Sequence, residues 1–325
     1  MTQQHEGLSY AAAGVDIDAY TRMLERVKPL IATTHGPEVA TGVGPFAGLY
    51  ALPNGGGYLA ASADGVGTKI KVATAYGRHR GIGHDLVNHC VNDIATAGAR
   101  PLFLLDYFAS GQLEEGVFAE VMAGLAEACR ENGCALLGGE TAEMPGVYGL
   151  GDYDLAGFVV GHVEAGATRE PVRAGDPLVG LPSSGLHTNG FSLVRRVFED
   201  VPLDRVFPEL GRPLGDELLV PHRSYLAELR ELPWKAAAHV TGGGLLGNIP
   251  RMLPEGMAAE LDRSTWEVPA IFGLVEAHGR VASDEMAGTF NMGLGMVLAT
   301  AEPLPGLTVV GRVVEQSGPL RIRFR

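Results

Sequence analysis

The chain has 325 residues, 46% of them hydrophobic and 19% charged, with a formal net charge of −13. That length suggests two domains, the apolar content excludes wholesale disorder, and the negative charge argues against broad binding to nucleic acid or to an anionic membrane. No apolar run approaches the roughly 18 residues of a membrane helix, and three cysteines without a C-x-x-C pair, behind an opening Met1–Glu6 of no signal-like character, lead us to expect a reduced, cytoplasmic protein.

Strands are expected at 45–52, 58–63, 101–108, 134–138 and 154–163, with helices at 84–99 and 117–132 between them. The polar, proline-bearing stretch 164–177 reads as a boundary, giving domains 1–165 and 166–325. The second unit is expected to hold strands at 178–181, 236–240, 289–300 and 307–314 and helices at 190–198, 245–252 and 269–277. The fold class is therefore α/β or α+β in two domains. Charge divides unevenly between them: residues 1–165 carry 9 basic against 19 acidic side chains, residues 166–325 carry 16 against 19. Spare carboxylates suit Mg²⁺, and equally a plain acidic surface.

The strand at 58–63 runs into Asp64-Gly65-Val66-Gly67-Thr68-Lys69, which groups a carboxylate, two unencumbered backbones, a hydroxyl and an ammonium, as a metal-bound phosphate requires. An ordinary Asp-Gly turn is the alternative. Only four lysines occur in the chain, so finding Lys69 and Lys71 beside one glycine turn is an unusual concentration. The helix at 84–99 carries Asp85, Asn88, His89, Asn92 and Asp93 opposite its apolar stripe. These are poor helix formers, so the face reads as one lining a site or, less informatively, as an exposed surface. Asp93 is a metal-ligand candidate, as is Glu140 after the glycines that end the next strand. Asp106 lies mid-strand among apolar residues, where a charge must be paired or functional.

In the second unit, the loop Ser183-Ser184-Gly185-Leu186-His187-Thr188-Asn189 before a helix could receive an anion, with His187 an acid/base candidate or a structural histidine. Thr241-Gly242-Gly243-Gly244 is a second cradle or a simple turn.

Taken in order, these motifs resemble those of the phosphoribosylformylglycinamidine cyclo-ligase family, whose other matching stretches here are Ser9-Tyr10, 13–18, 34–39, 103–107, 138–146, 241–250 and 289–296. The resemblance implies an ATP-dependent ligase of purine biosynthesis that closes formylglycinamidine ribonucleotide to aminoimidazole ribonucleotide, releasing ADP and phosphate. ATP would phosphorylate the formyl oxygen, and an amidine nitrogen would then form the C–N bond. Asp64, Asp93 and Glu140 would hold Mg²⁺. Asp64, Gly65, Gly67, Thr68, Lys69, Asn92, Asp106, Gly139 and Thr141 would contact the nucleotide, and Lys69 would meet phosphate. His187 and Lys28 would act at the reacting groups, and Ser184, Gly185, Asn189, Thr241, Gly242 and Gly243 would bind the phosphoribosyl substrate. The family's fold implies a homodimer in which two N-terminal sheets pair into a β-barrel, with ATP near the junction. Other ATP-using members of the superfamily, such as thiamine monophosphate kinases and selenophosphate synthases, are the alternative. A selenophosphate synthase would want a reactive cysteine near its start, and the first here is Cys90. The segment Gly44-Pro45-Phe46-Ala47 departs from a family pattern richer in glycine, and Leu320–Arg325 matches no family motif.

Overall fold

The computed structural model describes residues 7–325, so the opening Met1–Glu6 lies outside the described residues. The first half comprises α1 (Ile17–Ala32), β1 (Gly48–Ala51), β2 (Tyr58–Gly65), α2 (Lys69–Tyr76), α3 (Arg80–Ala95), β3 (Arg100–Ser110), α4 (Glu115–Glu131), β4 (Ala135–Glu143) and β5 (Tyr153–Val163). Its strands form one sheet in the order β1-β2-β5-β3-β4. The second half adds β6 (Pro177–Pro182), α5 (Phe191–Val197), α6 (Leu214–Leu218), α7 (Leu226–Glu231), β7 (Trp234–His239), α8 (Gly244–Asn248), β8 (Met257–Leu261), α9 (Ala270–Gly279), α10 (Ser283–Thr289), β9 (Leu294–Thr300), β10 (Thr308–Glu315) and β11 (Ile322–Phe324), whose strands order as β11-β8-β10-β6-β9-β7.

Only one face of the first sheet is covered. Alternate residues of β3, Leu104, Asp106 and Phe108, turn toward α3 and α4 and are buried. These two helices cross backbone to backbone: a Cβ on Gly83 would strike Val121 and Leu125, and one on Gly124 would strike Arg80. Gly157 and Gly161 of β5 let α3 lie close on the sheet, since a Cβ on either would crowd Leu86 or Ile94. On the other face Tyr50, Tyr107, Leu137 and Phe158 are 37 to 63% exposed.

The second sheet is covered on both sides. Every residue of β9 is buried. Its Met296 and Leu298 join the core that α3 shares with the first sheet, while Leu294, Val297 and Ala299 belong to a second core. Helices α5, α9 and α10 build a third, and Leu8, Tyr10 and Ala13 of the N-terminal segment pack on it. The start of the chain thus lies against its second half, held there by Leu8 N donating to Gly279 O at 3.0 Å.

Several expectations need correcting. β4 does not end at Gly138 but continues to Glu143, because its backbone pairs with β3 as far as Ser110. Residues 289–292 end a helix and turn rather than extend a strand. The unplaced tail forms β11, parallel to β8, with Arg321 donating to Leu253 O and Pro254 O at 2.8 Å.

Candidate functional site

The polar face of α3 is neither solvated nor open: every residue from Asp85 to Ala95 is buried. Much of it grips the backbone of residues 220–225 from the second half. Asp85 accepts from His222 N at 2.7 Å, Asn88 donates to His222 O at 2.7 Å, Asn92 donates to Arg223 O at 2.8 Å, and Asn92 also accepts from Tyr225 N at 2.8 Å. Side-chain amides and carboxylates here satisfy a buried loop that has no ladder partner of its own.

Lys69 belongs to the same clasp. Its Nζ, wholly buried, donates to Asp85 Oδ1 at 2.9 Å and Val220 O at 2.8 Å, and lies 2.8 Å from Asp85 Oδ2. Its hydrogen bonds and its ion pair thus lie inside the clasp, whereas the expected phosphate contact belongs to the glycine turn that precedes it.

The remaining polar residues of α3 build a hydrogen-bonded chain across the two halves. Ser62 on β2 donates to Asp93 Oδ2 at 3.0 Å, and Asp93 Oδ1 lies 2.8 Å from His239 Nδ1 at the end of β7. His239 Nε2 is 2.9 Å from His222 Nε2, and His222 Nδ1 is 3.4 Å from Thr188 Oγ1. Thr188 meets His89 Nδ1 at 2.8 Å, and His89 Nε2 sits 2.6 Å from Asp64 Oδ2. Asp64 and Asp93 are thereby drawn to one junction.

Electrostatics differ along this chain. Burial alone would push His89 down, but the Asp64 carboxylate, helped by Asp93 and Asp85, raises it to about 9. Burial likewise opposes the charge on Asp64, and His89 overrides it, holding that carboxyl below its usual range. Burial pushes His222 and His187 well down, with neighbouring cationic groups adding to the effect, so both are neutral rings.

His187 is enclosed. Its ring stacks on His222 with centroids 3.9 Å apart, its Nε2 accepts from Ser184 N at 3.1 Å, and its backbone has a left-handed φ of 61°. A non-glycine residue holds that conformation only where its surroundings fix it. His187, expected as an acid/base candidate or a structural histidine, thus lies buried within the 183–189 loop and supports Ser184. Ser184 donates to Pro221 O at 2.7 Å, and Gly185 O accepts from Asn291. Asn189 faces the second cradle, its Oδ1 3.2 Å from where a Cβ on Gly242 would stand. Asn248 ties that cradle together by donating to Thr241 O, Gly242 O and Gly244 O, the first two at 3.2 and 3.1 Å. The two expected substrate loops therefore adjoin each other, with Gly243 at the left-handed turn before α8.

The expected Mg²⁺ trio does not assemble within one chain. Asp64, Gly157, Asp106 and Gly139 form one row across the sheet, and Gly65, Ala156, Tyr107 and Glu140 the next. Paired residues share a face and successive rows alternate. Asp64 therefore faces α3, whereas Glu140 faces the open side, three strand spacings or about 14 Å away along the sheet. Asp106 leans over Gly139, where a Cβ would lie 2.5 Å from its Oδ1, and burial raises its carboxyl. Thr141, on the same edge strand as Gly139, pairs with Phe108 of β3. Thr68, at the head of α2, lies 3.2 Å from Ser192 Oγ, while Gly65 N donates to Asp64 Oδ1 at 2.7 Å and Gly67 turns with φ 68°. Lys28, on the exposed α1, pairs with Glu25 and stands near Gly44, not near His187.

Sequence reasoning missed His222 and His239. His239 carried a readable signal, since it closes an apolar strand three residues before a glycine run. His222 carried none, because its role rests on a loop whose path α3 dictates. Imidazole and carboxylate atoms of His89, Asp93 and His239 lie within 4.8 Å of one another. Mg²⁺ takes oxygen ligands, so the carboxylates of Asp64 and Asp93 suit it and the imidazoles do not.

Family models described as AIR synthase related protein match residues 45–163 (N-terminal domain) and 173–318 (C-terminal domain). The chain is 54% identical to a phosphoribosylformylglycinamidine cyclo-ligase of Myxococcus xanthus, over 91% of this chain and 89% of that protein. It is 44% identical to one of Thermoanaerobacter sp., over 96% and 99%. Among solved structures it resembles thiamine-monophosphate kinase from Stenotrophomonas maltophilia K279a (TM-score 0.62, 19% identity, 93% of this chain and 95% of that one). It also resembles "AaThiL complexed with AMPPCP and TMP" (TM-score 0.64, 17% identity, 93% and 94%). At such identities these two likenesses establish the fold alone.

Proposed function

The chain belongs to the AIR synthase family as a relative of the phosphoribosylformylglycinamidine cyclo-ligases, and from that membership we propose how its junction carries out the reaction. The activity is that of a ligase in purine biosynthesis, closing formylglycinamidine ribonucleotide to aminoimidazole ribonucleotide with formation of a C–N bond. ATP is the co-substrate, in keeping with the AMPPCP bound in the neighbouring fold.

The observation that carries the assignment is the convergence of Asp64 and Asp93 from the first half on Thr188, His222 and His239 from the second. Asp64 and Asp93 would hold Mg²⁺, which when bound neutralises phosphate charge and polarises the transferring phosphoryl group. Ser62 and His239 fix the Asp93 carboxylate, and His89 holds Asp64 until a competing cation arrives. The turn from Gly65 to Thr68 offers the backbone N–H groups of Gly67 and Thr68 to the nucleotide, with Asn92, Asp106, Gly139 and Thr141 completing the proposed contacts. Ser184, Gly185, Asn189, Thr241, Gly242 and Gly243 face the phosphoribosyl substrate. His187 positions the first of these loops through Ser184, and Lys28 guards the approach beside Gly44.

The open face of the first sheet supports a homodimer. Tyr50, Tyr107, Leu137 and Phe158 are too large and too adjacent to be left in water at no cost. A second copy laid on them would complete a barrel and enclose Glu140, which one chain leaves facing outward. The first half would then be the ATP- and metal-binding, dimerising domain and residues 166–325 the substrate domain. No described helix is long and apolar enough to cross a membrane, and a cytoplasmic setting suits the reaction.

The test is coupled ADP release from purified protein with MgATP, comparing formylglycinamidine ribonucleotide, thiamine monophosphate and no acceptor. Release that depends on the first and yields aminoimidazole ribonucleotide is expected. Release with thiamine monophosphate alone would move the protein to the kinase branch.

A further inference from the structure

A cavity of about 620 Å³ lies between α2 and α5, and one of about 500 Å³ lies beside the junction. The second is the more informative. It is bounded by the 41–49 segment, the α3–β3 turn, the stretch 167–169 and the start of β7, with Arg251 closing one side. Three cations line it, and only one is neutralised: Lys235 donates to both Asp176 oxygens at 2.9 and 3.0 Å. Arg169 lies flat on the indole of Trp234, 3.1 Å from the ring centroid, and its one hydrogen bond among the described residues goes to Trp234 O at 3.1 Å. Arg251 stacks on Phe46 at 3.7 Å and donates to Gly44 O and Asn248 Oδ1 at 3.0 and 3.1 Å. Neither arginine has a carboxylate partner among the described residues, although burial opposes the charge of both.

Two partly desolvated guanidiniums, each fixed on an aromatic ring and each with N–H groups to spare, form an anion receptor rather than a structural pair. Thr41 and Thr96 add hydroxyls to the same walls. Asn248 joins Arg251 to the Thr241–Gly244 cradle, one of the loops assigned to the phosphoribosyl substrate. Arg251 is also within electrostatic reach of Asp93 and Asp64.

We propose that this cavity receives the 5′-phosphate of the phosphoribosyl substrate, held between Arg169 and Arg251. The inference rests on the cyclo-ligase reading and assigns the residues that recognise its acceptor. The alternative occupant is a nucleotide phosphate. Polyphosphates bring Mg²⁺, which matches carboxylates, whereas a sugar phosphate monoester brings no metal and needs its cations from the protein. Phe46, beside the Pro45 and Ala47 departures, supplies the ring on which Arg251 stacks.

The experiment titrates the full-length protein calorimetrically with ribose 5-phosphate, with inorganic phosphate and with ADP, for the unsubstituted chain, Arg169→Gln, Arg251→Gln and the charge-retaining Arg251→Lys. Expected are ribose 5-phosphate binding that weakens by about 10- to 100-fold in either Gln variant, and a Michaelis constant for formylglycinamidine ribonucleotide that rises in parallel. ADP affinity should change by less than about threefold. Arg251→Lys keeps the charge and guards against misfolding; its binding should fall between the unsubstituted chain and Arg251→Gln. Loss of ADP affinity instead would assign the cavity to the nucleotide, and unchanged binding of all three probes would make the arginines structural. Inorganic phosphate binding as tightly as ribose 5-phosphate would overturn the sugar assignment. Ribose 5-phosphate binding needs no turnover, so failure of the cyclo-ligase reading would leave the calorimetry able to judge the cavity by itself.

Discussion

The two faces of the first sheet are built from the same strands and meet different fates. Toward α3, β2 presents Ser62 and Asp64, and both find partners on α3, in Asp93 and His89. Away from α3, the same strands present Tyr50, Tyr107 and Phe158 to solvent. Alternation along a strand assigns each residue to a face without saying what will cover it. The closed face is covered by α3 and α4 together with residues of the second half, and the open face is left uncovered by the described residues. Substitutions on the first should therefore damage folding or chemistry, and those on the second association.

The largest effect is expected at Lys69. Replacing it with Met leaves Asp85 buried and unpaired, and should destabilise the fold by about 3 to 5 kcal/mol in chemical denaturation. A loss under about 1 kcal/mol would mean that the junction is wetter than its burial suggests. Next comes Asp93→Asn, which keeps the shape but removes a carboxylate. Turnover should fall by about 10²-fold or more, while the loss of stability stays smaller than that of Lys69→Met. Unchanged dependence on Mg²⁺ in that variant would sink the metal role.

On the open face, Phe158→Glu should convert a dimer to monomer in sedimentation while changing the stability of the folded chain by no more than about 0.5 kcal/mol. If the unsubstituted protein already sediments as a monomer, the contrast between the faces loses its meaning. The smallest effect concerns pH. His89 is raised to about 9 from an unfolded value near 6.5. Its contribution to stability is complete below about pH 6.5 and is lost as pH rises through about 9. The melting temperature of metal-free protein should decline across that window, and Asp64→Asn should flatten the decline.

Much of the frame could be read from residue order. The apolar stripe of α3 and the glycines flanking its neighbours mark the sheet and its cover, and the excess of Asn, Asp and His on α3 correctly set that face apart from a plain surface. What those residues contact could not be read, since Asp85 and Lys69 look like separate polar residues until α2 folds back on α3. Short elements escaped as well: α10, β8 and β11 are too brief for periodicity to register, and β11 exists only because β8 offers it an edge. The end of β4 was misjudged because a glycine pair looked like a strand's end, where the backbone in fact continues pairing. The arginine cavity was invisible for a related reason, its walls being drawn from five separate stretches of chain.

The clasp on residues 220–225 has a further consequence. Lys69, Asp85, Asn88 and Asn92 all hold backbone atoms of that segment, not its side chains. A grip on the main chain is indifferent to which residue supplies it, so Val220 and Pro221 have latitude to drift in sequence while the path stays fixed. His222 and Tyr225 are instead held by their own side-chain contacts. Drift is not open to the gripping residues. The same arrangement couples the halves mechanically: heat cannot melt one without stranding charges in the other, and calorimetry should record a single cooperative transition in place of two.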